Sequence, residues 1–479
     1  MKRYPLIEEI SSPLSPPDVF DLFHGELYSC FLDSGMDPER LGRYSFIGRD
    51  PFLVMKSRGS EITLIQRGRQ KVEQGNPFDV LGRLLERYWI KDFDAPVPFT
   101  GGAIGYLSYD LCHFIERLPS TAVDDLNLPE SCLVFFDTIM AFDNLENRAY
   151  IISTGFPELQ ENRRLKRAKL RLMEIKNRLN SKPVDISELH QPADNENLEV
   201  VLKPNLSYET YIEAVKKARD YIIAGDIYQV NFTQRFETDL TVHPYLLHQR
   251  LRQINPAPFA SYLNFDEVTI VSASPERFLR LEGDQVETRP IKGTNPRGKD
   301  AAEDARLAHE LTQSIKDQAE NVMIVDLERN DLGRVCRYGT IKVTELAVLE
   351  TFPTVFHLTS TVVGRLRPDV SRIDLLKATF PGGSITGAPK VRSMEIIDEL
   401  EPTRRNAYTG TIGYLSFGSN LDLNIVIRTF IIKNRRAYFQ VGGGIVYDSN
   451  PEAEYQESLD KAKALIQALR LAPRVAVKT

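Results

Sequence analysis

Strand-like and helical stretches both occur along this 479-residue sequence, so a fold that combines strands and helices is expected. Between residues 20 and 155, short alternating segments such as Arg43 to Gly48 and Gly101 to Leu107 are punctuated by Gly and Pro, the signature of strands and hairpins. A helix is predicted over 157–180, where Leu165, Ala168, Leu172, Ile175 and Leu179 make an apolar stripe. Arg163, Arg164, Lys166, Arg167, Lys169 and Arg171 crowd its opposite side as an ordinary solvated face. A long helix over 301–325 carries Leu307, Leu311, Ile315 and Ala319 on one stripe. A last helix starts at Ser449-Asn450-Pro451-Glu452, an N-cap followed by proline at the first helical position. Residues 181–206 are polar and contain proline, so they read as a linker between an N-terminal region, 1–180, and a second region, 207–470.

Composition excludes several classes of function. The chain is 42% hydrophobic and 26% charged with a net charge of -6, which gives no support for nucleic-acid binding. Cys30, Cys112, Cys132 and Cys336 are scattered without zinc-site spacing, as expected of thiols in a reducing compartment. The N-terminus runs into Glu8 and Glu9 rather than an apolar signal region, and no run approaches the ~18 apolar residues of a membrane span. A cytoplasmic protein is expected.

The chemistry falls in separated clusters of the second region. Lys292 lies in Thr288-Arg289-Pro290-Ile291-Lys292-Gly293-Thr294-Asn295-Pro296-Arg297, stiffened by two prolines and flanked by arginines. Nearby positive charge and partial burial would favour its neutral, nucleophilic amine, although a solvated lysine on a Pro/Gly-rich loop fits this segment as well. Glu276 follows the strand-like run Val268 to Ser274 and is expected at a strand end. Glu320 stands four residues after Lys316, a plain i,i+4 pair unless the site gives it more. On the C-terminal helix Glu454, Glu457 and Lys461 share one face, and two carboxylates at i,i+3 invite a cation. With no His or Cys beside them, these oxygen ligands suit Mg2+ rather than zinc. Gly442-Gly443-Gly444 and the loop Phe380 to Lys390 offer backbone N–H groups to an anion, and Arg428 offers a guanidinium to a carboxylate. Ala388-Pro389 stands where a phosphate loop needs Lys-Ser/Thr, which rejects a P-loop NTPase. The residues alone thus point to a Mg2+-assisted enzyme for a small anionic substrate.

Gln229-Val230-Asn231, Ser274-Pro275-Glu276, Pro290 to Thr294, Asp326 to Asp331, Pro381 to Lys390, Gly442 to Ile445 and Glu454 to Lys461, in this order, resemble the chorismate-binding enzymes over 207–468. Leu32-Asp33-Ser34, Gly42 to Ser45 and Gly101 to Tyr106 extend the resemblance more loosely. The resemblance implies an α+β sandwich of two facing antiparallel sheets with helices outside, the N-terminal region being interleaved with the rest. It implies that Glu320 and Glu457, with Glu454 beside them, hold Mg2+ on the ring carboxylate of chorismate. It also implies that Tyr408, Arg428 and Gly442 to Gly444 cradle the pyruvyl carboxylate, with Lys461 near the ring carboxylate, Ser384 and Thr386 as a hydroxyl wall, and His357 as the active-site histidine.

Family members that add water at C2 have lysine where this chain has Gln229, so water addition is disfavoured. Anthranilate-forming members typically have alanine in the Pro-Ile-x-Gly-Thr motif; members that aminate C4 to give 4-amino-4-deoxychorismate have lysine, as here at Lys292. In that scheme Lys292 is the nucleophile and Glu276 the general acid. Ammonia is expected from a separate glutamine amidotransferase subunit. Ser34 falls in the segment that resembles the family's tryptophan-binding region.

Overall fold

The computed structural model describes residues 3–10, 15–91, 93–181, 189, 200–352 and 355–470. Its frame is a pair of 12-stranded sheets in which every strand pair is antiparallel. One sheet runs Leu6–Ile10, Arg148–Ser153, Thr138–Asp143, Tyr44–Gly48, Ser29–Asp33, Phe259–Asn264, Thr269–Ser274, Thr429–Lys433, Arg436–Ile445, Gln229–Asp239 and Lys203–Pro204. The other begins at Ile291–Pro296, Val355–Arg365, Gln285–Arg289 and Arg277–Glu282, continues through Leu421–Asn424, Thr411–Ser416 and Gly102–Leu107, and ends at Arg69–Gln74.

The alternation read in the sequence explains the layering. Side chains of a strand point to opposite faces, so apolar residues on the inner face of each sheet must meet a second apolar layer. Phe46, Ile139 and Ile270 of the first sheet accordingly pack in one buried cluster with Val54, Ile104 and Val134 of the second. The outer face of the first sheet is covered by Glu161–Leu179, Pro244–Ile254 and Pro451–Arg470. Pro77–Arg87 and Arg372–Thr379 contribute to the cluster on the second, and Lys390–Leu400 packs against Gln229–Asp239 of the first. Strands from either side of 181–206 alternate within both sheets: Ala260 pairs with Asp33, and Gly413 with Gly105. Most of 181–206 itself lies outside the described residues.

Two helices depart from the sequence reading. The stretch expected as one helix over 301–325 is two, Ala301–Gln313 and Ile315–Gly333. Ser314, with ψ of 107°, ends the first and caps the second by accepting from the Asp317 N–H at 3.2 Å. The break turns the second helix. Ile315, expected on the apolar stripe, is 85% exposed, and Asn321, Ile324, Val325, Glu328 and Leu332 face inward instead. On Glu161–Leu179, Arg164 and Arg171 are buried rather than solvated. Arg164 donates to the Tyr4 and Thr154 carbonyls at 2.9 and 2.8 Å, and Arg171 lies 3.4 Å from Asp137 and 2.6 Å from Asp50. Their apolar stems lengthen the helix's buried stripe, while fixed acceptors take the charge.

One buried ion pair joins the elements that carry the site. Arg405 and Glu401 are 2% and 3% exposed and bind each other through two guanidinium nitrogens at 2.9 and 2.7 Å. Arg405 also donates to the carbonyls of Ile385 and Asn231, and Glu401 accepts from the Thr233 N–H and hydroxyl. Removing one partner would leave the other charge buried and unpaired. Arg405→Ala is therefore expected to destabilise the protein by ~3–5 kcal/mol, read by urea unfolding; a loss no larger than that of an exposed arginine control would contradict this account.

Candidate active site

Glu276 emerges between Thr269–Ser274 and Arg277–Glu282, at the strand end expected of it. The Ser274 hydroxyl donates to the Ile425 carbonyl at 2.6 Å and accepts from the Glu276 N–H at 3.3 Å, which fixes the turn. The carboxyl is buried. Burial pushes its pKa up to about 7, against the opposing pull of Ser384, Lys292, the Ile291 N–H and Arg428. Both hydrogen-bond donors sit on one oxygen: the Ser384 hydroxyl at 2.6 Å and the Ile291 N–H at 3.4 Å both reach Oε1. Oε2 is the oxygen left to carry a proton.

Lys292 lies on the strand Ile291–Pro296, whose register on Val355–Arg365 breaks between Ile291 and Thr294. Gly293 makes the break with φ of +86°, a conformation in which a side chain would strain the backbone and crowd Asp317 and Leu311. Burial pulls the Lys292 pKa down, opposed by the carboxylates of Glu320, Glu276 and Glu457 and assisted by Lys461. The flanking arginines expected to help are neutralised elsewhere: Arg289 binds Glu345 and Glu350, and Arg297 binds Asp304. Desolvation first, and then the charge of Lys461 rather than that of the flanking arginines, favours the neutral amine.

His357 is buried on the facing strand. Its Nδ1 is 2.8 Å from the Thr294 hydroxyl and its Nε2 is 3.1 Å from an Arg428 nitrogen. Arginine can only donate, so Nε2 accepts and Nδ1 carries the hydrogen. Burial, then Arg428, hold the imidazole well below its usual pKa, hence neutral. His357 orients Arg428, whose own pKa burial lowers to about 10. Thr294, the third member of this chain, was not singled out in the sequence although it ends the Pro290 to Thr294 motif.

The carboxylates come from two helices. Ser449 donates to Glu454 at 2.6 Å, and Lys316 stands 3.9 Å from Glu454 and 4.0 Å from Glu320, bridging the helices. Lys461 is 2.8 Å from Glu457 and donates to the Gly442 carbonyl at 2.9 Å. Burial raises the pKa of Glu320 and Glu454, whereas Lys461 lowers that of Glu457. Among the described residues no three His, Cys, Asp or Glu side chains form a ready-made metal-ligand group. Gly443 nonetheless opens space toward this cluster: a Cβ there would stand 3.4 Å from Lys461 Nζ and 3.5 Å from Glu454 Oε2 and Glu457 Oε1.

The other two glycines are needed for close packing. A Cβ on Gly442 would fall 2.1 Å from the Phe232 carbonyl oxygen, and one on Gly444 would fall 1.8 Å from Gln229 Nε2. Gln229 is wholly buried, and its amide nitrogen and oxygen have no hydrogen-bond partner among the described residues. In the loop Phe380 to Lys390, Thr386 is a scaffold group: its hydroxyl donates to the carbonyls of Gly382 and Gly383 at 3.0 and 3.3 Å. Lys390 is bound by Asp331 and the carbonyls of Thr379 and Pro381. The anion held by a loop N–H is internal, since Gly383 donates to Glu328 at 2.9 Å.

Tyr408 is 5% exposed and packs beside Thr429, Tyr438 and Gln440, with burial raising its phenol pKa. Ser34 is not in this cleft. It lines a separate cavity of about 280 Å³ with Asp33, Tyr44, Arg277 and Tyr414, and its hydroxyl is within 2.6 Å of the Tyr44 carbonyl and 3.2 Å of that of Pro258.

Residues 30–467 match the family model of the chorismate binding enzymes. The chain belongs to this family. It is 39% identical to anthranilate synthase component 1 of Acetivibrio thermocellus, covering 98% of this chain and 96% of that protein. It is 40% identical to aminodeoxychorismate synthase component 1 of Bacillus subtilis (strain 168), covering 91% of each. The crystal structure of anthranilate synthase component I from Streptococcus pneumoniae TIGR4 superposes with a TM-score of 0.76 at 35% identity, covering 88% of this chain and 92% of that one. The chain is thus an enzyme that acts on chorismate, and relatives named for two different products stand at similar identity. No helix among the described residues is long and apolar enough to cross a membrane.

The three glycines separate packing from ligand space. Gly442→Ala must displace backbone and is expected to destabilise by ~1–3 kcal/mol or more. Gly443→Ala meets only ordinary contacts and should change stability by less than about 1 kcal/mol while weakening chorismate binding. Thermal unfolding and calorimetric titration check both; a Gly443→Ala variant binding chorismate like the unmodified chain would show that this space is not used.

Proposed function

We propose that the chain is component I of an aminodeoxychorismate synthase, converting chorismate and ammonia to 4-amino-4-deoxychorismate and water. The observation that carries this reading is Lys292, a half-buried side chain whose amine has Glu276, Glu320, Glu457 and Lys461 as charged neighbours. Its neutral form adds to ring C2 as the C4–O bond breaks, the ring double bonds shift, and Glu276 Oε2 delivers the proton that lets the hydroxyl leave as water. Ammonia then adds at C4 and expels the Lys292 amine from C2, and the Glu276 carboxylate takes back a proton from the new ammonium. Arg428, oriented by His357, binds the pyruvyl carboxylate together with Tyr408 and the backbone of Gly442 to Gly444. Ser384 directs the Glu276 proton, while Thr386 holds the loop that carries Ser384.

Glu320, Glu457 and Glu454 would hold Mg2+. The donor set is all oxygen, its burial already disfavours charge on Glu320 and Glu454, and the gap beside Gly443 adjoins Glu454 and Glu457. When bound, the ion neutralises the ring carboxylate of chorismate and these glutamates. Lys316 and Lys461 supply the countercharge around them otherwise. Ammonia comes from a glutamine amidotransferase subunit, and four buried free thiols fit a reducing, cytoplasmic setting. The cavity at Ser34 is where tryptophan would bind.

The relatives that form anthranilate favour a second reading, anthranilate synthase component I, and product identity separates the two. The isolated chain with chorismate, Mg2+ and an ammonium salt is expected to yield 4-amino-4-deoxychorismate, identified by mass and by conversion with an added lyase; fluorescent anthranilate would overturn the assignment. Lys292→Ala should lose C4 amination by several orders of magnitude and divert toward C2 products, whereas a surface lysine would change nothing but stability, by under about 0.5 kcal/mol. Glu457→Gln should weaken Mg2+ and chorismate binding together in calorimetric titrations. Loss of turnover with normal Mg2+ affinity would remove Glu457 from the metal site.

A further inference from the structure

The loop Phe380 to Lys390 presents Ser384 to Glu276, and the loop is itself held from behind by a carboxylate that the reaction scheme does not use. Glu328 is 2% exposed on the inner face of Ile315–Gly333. Its Oε1 accepts the Gly383 N–H at 2.9 Å, and its Oε2 is 3.4 Å from the Thr288 hydroxyl. Gly383 precedes Ser384, whose hydroxyl is 2.6 Å from Glu276 Oε1. Contact between loop and helix is tight: a Cβ on Gly383 would lie 2.7 Å from Leu327 Cδ2 and 2.9 Å from Glu328 Oε1. Thr288 belongs to the strand that leads into the Lys292 segment, so Glu328 touches both stretches that converge on Glu276.

We infer that Glu328 is a positioning residue for the proton donor: it fixes the turn that aims Ser384 at Glu276, and its charge, when it ionises, opposes loss of the proton from Glu276. The inference rests on the reading of Glu276 as the acid. Charge supports it from every side. Glu328 is faced by Lys390, which favours its ionised form, and by Asp331 and Glu276, which oppose it; burial pushes its own pKa up to about 7. Lys390 is shared with Asp331, which also binds Arg334, so the cation only partly offsets Glu328. Glu276 is faced by Lys292 and Arg428, both of which draw its proton away. A second carboxylate in the same dry region opposes them. Two such groups titrate as a coupled pair, in which ionising one raises the proton affinity of the other.

Glu328→Gln tests this, because glutamine can still accept the Gly383 N–H through its carbonyl oxygen but carries no charge. Chorismate turnover is measured against pH with the free ammonia concentration held constant. An acid that must be protonated makes kcat/KM fall as pH rises through its pKa. Removing a like charge lowers the Glu276 pKa, so in Glu328→Gln that fall should begin at least ~0.5 pH unit lower. A falling limb that stays in place or moves upward would overturn the inference and leave Glu328 merely structural. If instead Glu276→Gln turns chorismate over as the unmodified chain does, it is the proton-donor reading that fails. Should Glu328→Gln not fold, the same coupling is read in reverse by infrared titration of Glu276→Gln. Among the buried carboxyl bands, which include that of Asp110, the band of Glu328 should then lose its proton at lower pH than in the unmodified protein, and the absence of any band that moves would refute the coupling.

Discussion

The buried pair of Arg405 and Glu401 is the constraint on which the site depends. A guanidinium and a carboxylate taken out of water are tolerable only when nearly every donor and acceptor finds a fixed partner. Here those partners are the backbone and side chains of the catalytic elements. Arg405 holds the Asn231 carbonyl two residues beyond Gln229, and the Ile385 carbonyl one residue beyond Ser384. Glu401 holds Thr233, opposite Gly442 on the neighbouring strand. The strand bearing Gln229, the turn bearing Ser384 and the glycine strand are thus registered by one buried charge pair.

Around that frame, burial assigns protonation states that isolated side chains would not have. Burial raises the Glu276 pKa to about 7 and draws Lys292 toward its neutral amine, the forms that the proposed acid and nucleophile would need. Glu457, with Lys461 at 2.8 Å, stays ionised in the same cleft. Neutral His357 shows the same economy: because Arg428 can only donate, the histidine is fixed in one tautomer and serves as a prop.

Much of this was legible in the linear sequence. Alternating segments with Gly and Pro punctuation marked the strands, since pleat periodicity and turn chemistry are local. The Asn450-Pro451 helix start was legible for the same reason, and Asn450 does accept the Ala453 N–H at 2.9 Å. The motifs around Glu276, Lys292 and Gly442 to Gly444 carried the family. Readings that depended on non-local neighbours went differently. Arg164 and Arg171 read as solvent-facing because helical periodicity cannot see a buried carbonyl or Asp137 in the bend between two strands. The arginines beside Lys292 read as its electrostatic partners because Glu345, Glu350 and Asp304 are brought to them only by the fold.

The sequence by itself determined the presence of strands and helices, the order of the motifs and the residue types available for the chemistry, because these are local, and through the resemblance those motifs carry it implied the α+β class. The tertiary structure decided what each group does. It broke the 301–325 helix at Ser314 and so turned Glu328 inward against Gly383. It kept Thr386 for the loop and gave Ser384 to Glu276. It placed Ser34 in a cavity apart from the cleft. The physical reason is common to all three: hydrogen bonding and desolvation act through space at a few ångströms, and that distance is set by the packing of two sheets rather than by position along the chain.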